Sequence, residues 1–246
     1  MKLFYHIGRY GLLITQILKK PEKASIYRKQ IIIEMDNLGL ESLGIVAIIS
    51  VFMGAVVTIQ TAFNTDHPML PAYAIGFATR QAIILEFAPT IISLILAGKI
   101  GSRIASEIGT MRVTEQIDAL EVMGINASGF LILPKVIAAM IVNPLLIVIS
   151  MFLGIFGGWL VSALTDVMPL GNYVYGILYE FSQFDVYYAL IKTVVFAFLI
   201  TTVSGYFGFY TKGGALEVGH SSTKAVVFSS IFIILFNLLL TQLLLT

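Results

Sequence analysis

The sequence predicts an all-α integral membrane protein of about five transmembrane helices. Three observations predict it. Of 246 residues, 58% are hydrophobic and only 12% charged, with a mean hydropathy of +0.93, whereas a soluble domain carries about 25% charged residues. Five stretches are long and apolar enough to cross a bilayer, which needs about 20 mostly apolar residues per helix. Lysine and arginine crowd onto one set of loops. No linker, repeat array or low-complexity tract divides the chain, so residues 1–246 read as a single membrane domain.

The N-terminal segment 1–40 precedes the first span. Lys2, His6 and Arg9 lead into an apolar run that ends at Lys19 and Lys20 without a small-residue cleavage site, unlike a signal peptide. Leu3, Phe4, Ile7, Ile14, Ile17 and Leu18 fit the apolar face of an amphipathic helix lying in the membrane interface. The spans are expected at 43–61, 81–104, 130–164, 187–206 and 225–245. The third is too long for a straight perpendicular span. Pro134, Pro144 and the glycines between 154 and 158 are expected to bend or tilt it. Gly154 and Gly158 form a Gly-x-x-x-Gly pattern, read as close helix packing in preference to a dimer seam.

Orientation follows from the positive residues. Before the first span stand Lys2, Arg9, Lys19, Lys20, Lys23, Arg28 and Lys29; around the second-to-third connection stand Lys99, Arg103, Arg112 and Lys135; the last connection adds Lys212 and Lys224. Thirteen of the fifteen therefore lie on one side, and only Arg80 and Lys192 flank the opposite loops, beside Asp66, Asp166, Glu180 and Asp185. The N-terminus is expected to be cytoplasmic and, after five spans, the C-terminus on the far side.

Residues 106–124, SEIGTMRVTEQIDALEVMG, form the most polar segment beyond the N-terminal region. Thr114 can cap a helix, with Glu115 in its first turn and Gly124 as its stop. Ile117, Leu120 and Met123 can share one face, and Glu115, Asp118 and Glu121 make an acidic ridge. Such a helix is either a solvated loop or a docking site. At membrane depth, Glu86 near Pro89 is a functional candidate by default, or else an interfacial carboxylate paired with Arg80 or water. Pro89 is expected to kink its span and open a cavity, and Gln60 is a weaker polar candidate. Residues 210–224, YTKGGALEVGHSSTK, could contact a partner or simply turn.

Some chemistries are excluded. Without cysteine there is no disulfide or thiolate site, and His6, His67 and His220 have no metal-ligand spacing. No G-x-x-x-x-G-K-[ST] loop exists, since Gly98 and Lys99 are followed by Ile100. No cofactor and no nucleic-acid partner are expected. ATP, if used, must be bound by a partner subunit.

The segments AGKIGSR at 97–103 and EIGTMRVTEQIDALEVMG at 107–124 resemble the signature of MlaE/YrbE-type permeases, the membrane subunits of ABC lipid transporters that work with MCE proteins. Weaker similarity runs through KPE at 20–22, LEFAP at 85–89 and GGALEVGHSSTKAVV at 213–227. Many members have Arg-Glu where this chain has Leu85 and Glu86, and Gly-Pro where it has Ala88 and Pro89, so a role of that arginine does not carry over.

The resemblance implies a homodimeric permease of the bacterial inner membrane, moving phospholipid or a similar amphiphile to or from a periplasmic MCE-domain protein. It implies a cytoplasmic ABC ATPase and a small STAS-type cytoplasmic subunit as partners. The 106–124 region becomes a cytoplasmic coupling helix, with Glu107, Thr110, Arg112, Thr114, Glu115, Gln116, Asp118 and Glu121 facing the ATPase. Ile83, Glu86, Pro89 and Gln60 become candidates for the lipid path. The alternatives are an intramembrane lipid-modifying enzyme, which would need convergent acid–base groups, and a scaffold that transports nothing.

Overall fold

The computed structural model describes residues 2–18, 24–65 and 71–245. Lys19, Lys20, Pro21, Glu22, Lys23, Asp66 and His67, together with the side chains of Lys2 and Leu3, lie outside the described residues. Helix α1 covers Lys2–Ile17 and α2 covers Ala24–Asn64. The second span is one helical rod of changing pitch: α3 (Tyr73–Ala82), a π-helical segment π1 (Ile83–Ile91), α4 (Ile92–Leu96), a second segment π2 (Ala97–Gly101) and α5 (Ser102–Val113). The short α6 (Gln116–Val122) follows, then α7 (Ala127–Leu164), α8 (Leu170–Leu178), α9 (Gln183–Phe209) and α10 (Ala215–Leu245). No strand occurs among the described residues.

Five helices are long and apolar enough to cross a membrane: Ile26–Asn64, Tyr73–Val113, Ala127–Leu164, Gln183–Phe209 and Ala215–Leu244. Each expected span falls on one of them, and the helices run on past the apolar stretches. Once a helix exists, every further residue adds one backbone bond, so hydropathy does not mark its ends.

Pro89 sits inside π1. The missing proline N–H falls within a wider turn with an i→i+5 pattern, a break in the regular α-helix at the residue where the sequence predicts a kink. Ala88 and Pro89 are both buried. A narrow, mostly apolar cleft beside them is lined by Ile83, Ala88, Gly54 and Gly154, with Ser50 donating to Ser150 Oγ at 2.8 Å nearby.

Helix α7 packs along α2. A Cβ on Gly157 would stand 2.0 Å from the Val51 carbonyl oxygen, and one on Gly54 would stand 1.8 Å from that of Gly154. The glycine cluster therefore brings two backbones of the same chain together. Helix α9 is largely buried and lies against α5, α7 and α10.

Helix α1 has two apolar faces where one was expected. Leu13 and Ile17 are buried against the bundle, while Phe4, Ile7 and Leu18 point outward. The His6 ring Nδ1 lies 2.6 Å from the Tyr206 hydroxyl, Tyr10 bonds Thr202 at 2.7 Å, and Arg9 stacks 3.5 Å above the Tyr210 ring. Docking thus takes Ile17 inward and leaves an outer apolar edge suited to a bilayer interface.

Helix α8 has no counterpart in the sequence reading, because nine residues are too few for a periodic signal. Its packing secures it. Gly176 abuts the Tyr73 carbonyl, and Tyr173 donates to the Ile155 carbonyl at 3.0 Å. Burial pushes the Tyr173 hydroxyl up to about 12, so it remains a donor at neutral pH.

Candidate functional site

The turn into α6 is built differently from the expected cap. Thr114 closes α5, and its hydroxyl donates back to the Thr110 carbonyl at 2.8 Å instead of capping α6. Ser and Thr readily make this i→i−4 bond. Glu115 stands before the first turn, at φ 60° and ψ 14°, with no side-chain cap bond. The far end is as expected. Gly124 has φ 78°, its N–H reaches the Glu121 carbonyl at 3.0 Å, and the Ile125 N–H reaches that of Leu120 at 3.1 Å. These two bonds form a Schellman motif.

Ile117 is buried and Leu120 half-buried, but Met123 points outward, because a helix of two turns has room for one short inward stripe. Glu115, Asp118 and Glu121 are all exposed, beside exposed Val122 and Met123. Arg112 donates to Asp118 Oδ1 at 2.7 Å, Gln116 donates to the Thr114 hydroxyl at 3.1 Å, and exposed Thr110 donates to the Ser106 carbonyl at 2.8 Å. The result is a small, firmly tied helix showing acid and apolar tips.

A glutamate in left-handed conformation costs about 1–2 kcal/mol relative to glycine. Glu115→Gly is therefore expected to leave thermal stability in detergent unchanged or raised. A fall of more than about 1 kcal/mol would show that the Glu115 side chain holds the turn.

Glu107 belongs to an internal ion triad. Lys135 of α7 donates to Glu34 Oε1 of α2 at 2.6 Å and to Glu107 of α5 at 2.8 Å. The Lys135 and Glu34 side chains are 4% and 6% exposed, while Glu107 is 44% exposed. Buried charges of this kind persist only when paired and hydrogen-bonded.

Glu86 is neither alone nor paired with Arg80. Arg80 instead ties α3 to α8, donating to the carbonyls of Ile177 at 2.7 Å and Tyr179 at 2.8 Å. The partner of Glu86 is Lys192 of α9, fully buried, at 3.0 Å. Lys192 also donates to the Leu85 carbonyl and the Tyr188 hydroxyl, both at 3.1 Å, so its three protons have three acceptors. The Leu85 carbonyl lies four residues before Pro89, which has no N–H to return to it. On the other carboxylate oxygen, Asn237 Nδ2 of α10 donates at 3.1 Å and Thr90 Oγ1 also stands at 3.1 Å. Tyr188 and Thr241 of α10 bond at 2.7 Å and complete the network.

Three spans are thus joined at membrane depth by Glu86, Thr90, Tyr188, Lys192, Asn237 and Thr241. The other path candidates lie apart from it. Ile83 is buried toward Gly154, Pro89 is buried within π1, and Gln60 is exposed on α2. The reading that assigned Lys192 to a loop flank missed a signal. A lysine inside an apolar run, with Tyr188 four residues before it, marks an intramembrane site, as do Asn237 and Thr241 at the same spacing. Among the described residues no three His, Asp or Glu side chains gather to hold a metal ion.

Comparison with known proteins agrees with this architecture. The profile of the family Permease MlaE matches residues 31–243. A probable ABC transporter permease of Rickettsia bellii is 36% identical over 99% of this chain and 93% of its own length. One from Synechocystis is 34% identical over 89% of this chain and 82% of its own. Protein TRIGALACTOSYLDIACYLGLYCEROL 1, chloroplastic, of Arabidopsis thaliana is 31% identical over 94% of this chain and 66% of its own.

Proposed function

The chain belongs to the MlaE permease family, and from that membership we propose that it moves phospholipid or a similar amphiphile between the inner membrane and a periplasmic MCE-domain protein. An ABC transporter permease implies a separate ATPase, which accords with the absence of a phosphate-binding loop here. The observation that carries the proposal is mechanical. The exposed acidic helix α6 follows directly on the helical rod that holds Glu86, so a push at α6 acts on the polar network at membrane depth. The segments π1 and π2 interrupt that rod, and π turns often mark places where a helix can rearrange. One relative bears the name of a glycerolipid, which supports a lipid cargo.

The working unit we propose is a homodimer with a cytoplasmic ABC ATPase, an MCE partner and a small STAS-type subunit. Its N-terminus and α6 are cytoplasmic and its C-terminus periplasmic, following the charge asymmetry. Lys192 is fully buried and donates all three protons to fixed acceptors, which favours a structural role over acid–base catalysis on lipid.

The test is charge reversal at α6. Glu115→Lys with Glu121→Lys is expected to weaken ATPase copurification and stimulated hydrolysis while membrane insertion persists. Removing charges desolvated in an interface costs about 2–5 kcal/mol. Both residues lie clear of the Arg112 to Asp118 pair, so the folded turn is spared. Undiminished ATPase association would remove α6 from the coupling role. A single cysteine at Asp118 is expected to be labelled only from the ATPase side, and labelling from the opposite side would reverse the orientation.

A further inference from the structure

We propose that Lys99 and Arg103 form a subsite for the net-negative phosphate headgroup of a phospholipid, which takes the place of Glu41. The inference rests on the reading of the chain as a lipid permease and adds a headgroup preference to it. The second span keeps one face only half-buried along much of its length. Down that face come Glu86 and Thr90, then Leu94 and Ile95, then Lys99 and Arg103. The stripe is polar, apolar and then cationic, an arrangement that suits an amphiphile.

The cationic end stands at a gap. Helix α2 approaches π2 and α5 only sparsely. Long side chains cross between them: Lys99 donates to the Glu41 carbonyl, and Arg103 donates to the Asn37 carbonyl at 3.3 Å and to the Glu41 carboxylate. Beside Arg103, an open groove runs along α5, lined also by Ser106, Glu107, Thr110 and Met111.

Charge decides what the gap attracts. Lys99 and Arg103 bring two positive charges, and Glu41 is the one carboxylate paired with either among the described residues. The Lys99 ammonium meets only a neutral carbonyl. The surplus is one positive charge, held where the Arg103 and Glu41 side chains remain 37% and 53% exposed. One turn further along α5 the balance reverses, because Lys135 faces two carboxylates, Glu34 and Glu107. A phosphate is favoured at the first position and repelled at the second. Arginine presents a fork that matches phosphate geometry, and lysine adds a point charge.

The test uses the intact chain in lipid nanodiscs of phosphatidylcholine doped with phosphatidylglycerol, without ATP, and with a photocrosslinking residue in place of Ser106. Phosphatidylglycerol is expected to be captured about tenfold in excess of its share, the effect of one charge-assisted contact. Lys99→Gln with Arg103→Gln should abolish the preference, Arg103→Lys should retain most of it, and Glu41→Gln should increase capture.

If the Arg103 to Glu41 bridge only held helices together, Glu41→Gln and Arg103→Gln would act in the same direction, and that result would overturn the proposal. Equal capture of both lipids would overturn it as well. Inorganic phosphate, which offers the same charge without acyl chains, is expected to compete only weakly; complete loss of the preference at a phosphate concentration equal to that of the lipid would assign the site to free phosphate. The measurement involves neither ATP nor ATPase, so its failure beside intact α6 coupling removes the subsite and leaves the permease reading standing.

Discussion

Lys135→Met is expected to destabilise the protein by about 3–5 kcal/mol, the cost of breaking a buried ion pair by removing one partner. Two carboxylates would then face one another, with Glu34 almost wholly out of contact with solvent. The three partners are not equivalent. Glu107→Gln is expected to cost no more than about 1 kcal/mol, because a half-exposed carboxylate is screened by solvent. Adding Glu34→Leu to Lys135→Met should recover much of the loss, since replacing a buried pair by apolar groups is often close to neutral. Thermal unfolding in detergent of the wild type, Lys135→Met, Glu34→Leu and their combination forms a double-mutant cycle, with Glu107→Gln measured beside it. Equal effects of Lys135→Met and Glu107→Gln would show that the triad is open to water and carries little stability.

The second large effect concerns Glu86 and Lys192, and exposure sets its asymmetry. Lys192 is wholly buried, whereas the Glu86 side chain is 45% exposed. Glu86→Leu strands a buried ammonium, while Lys192→Met leaves a partly exposed carboxylate that keeps its hydrogen bonds from Asn237 and Thr90. Glu86→Leu is therefore expected to be the more damaging, with Glu86→Gln intermediate because it keeps an acceptor for Lys192.

For lipid transfer driven by ATP in vesicles, Glu86→Leu should reduce the rate at least about tenfold, equivalent to about 1.4 kcal/mol. Joining Glu86→Gln to Lys192→Met should restore stability without restoring transfer, if the carboxylate serves the lipid path. Normal transfer by Glu86→Leu would sink that role. Full recovery of transfer in the double variant would reduce the pair to a structural brace.

Much of the fold was legible in the sequence because a bilayer leaves a chain few choices. Backbone groups in hydrocarbon must bond within their own segment, so an apolar run of sufficient length is a helix. The five spans, the short helix near 115–123 and its Gly124 stop follow from hydropathy and turn chemistry. Helix α8 did not follow, nor did the two π segments. Their conformations are set by what they pack against: Arg80 capturing the end of α8, and Lys192 reaching the carbonyl turn before Pro89.

The site divides in the same way. Glu86 was visible as a charge out of place in an apolar span, and the acidic ridge of α6 as a pattern at spacing three. Their partners were not visible. Glu86 and Lys192 are 106 residues apart, Glu34 and Lys135 are 101 apart, and the Glu86 to Asn237 bond joins residues 151 apart. The sequence by itself determined that this protein is a helical membrane permease and that it carries no G-x-x-x-x-G-K-[ST] loop. It determined this because hydropathy, charge asymmetry and the family signature are local properties of the chain. Only the tertiary structure decided which charge neutralises which. An ion pair is a property of distance in space, and helix packing sets that distance through contacts such as those of Gly54, Gly154 and Gly157, which no pattern along the sequence records.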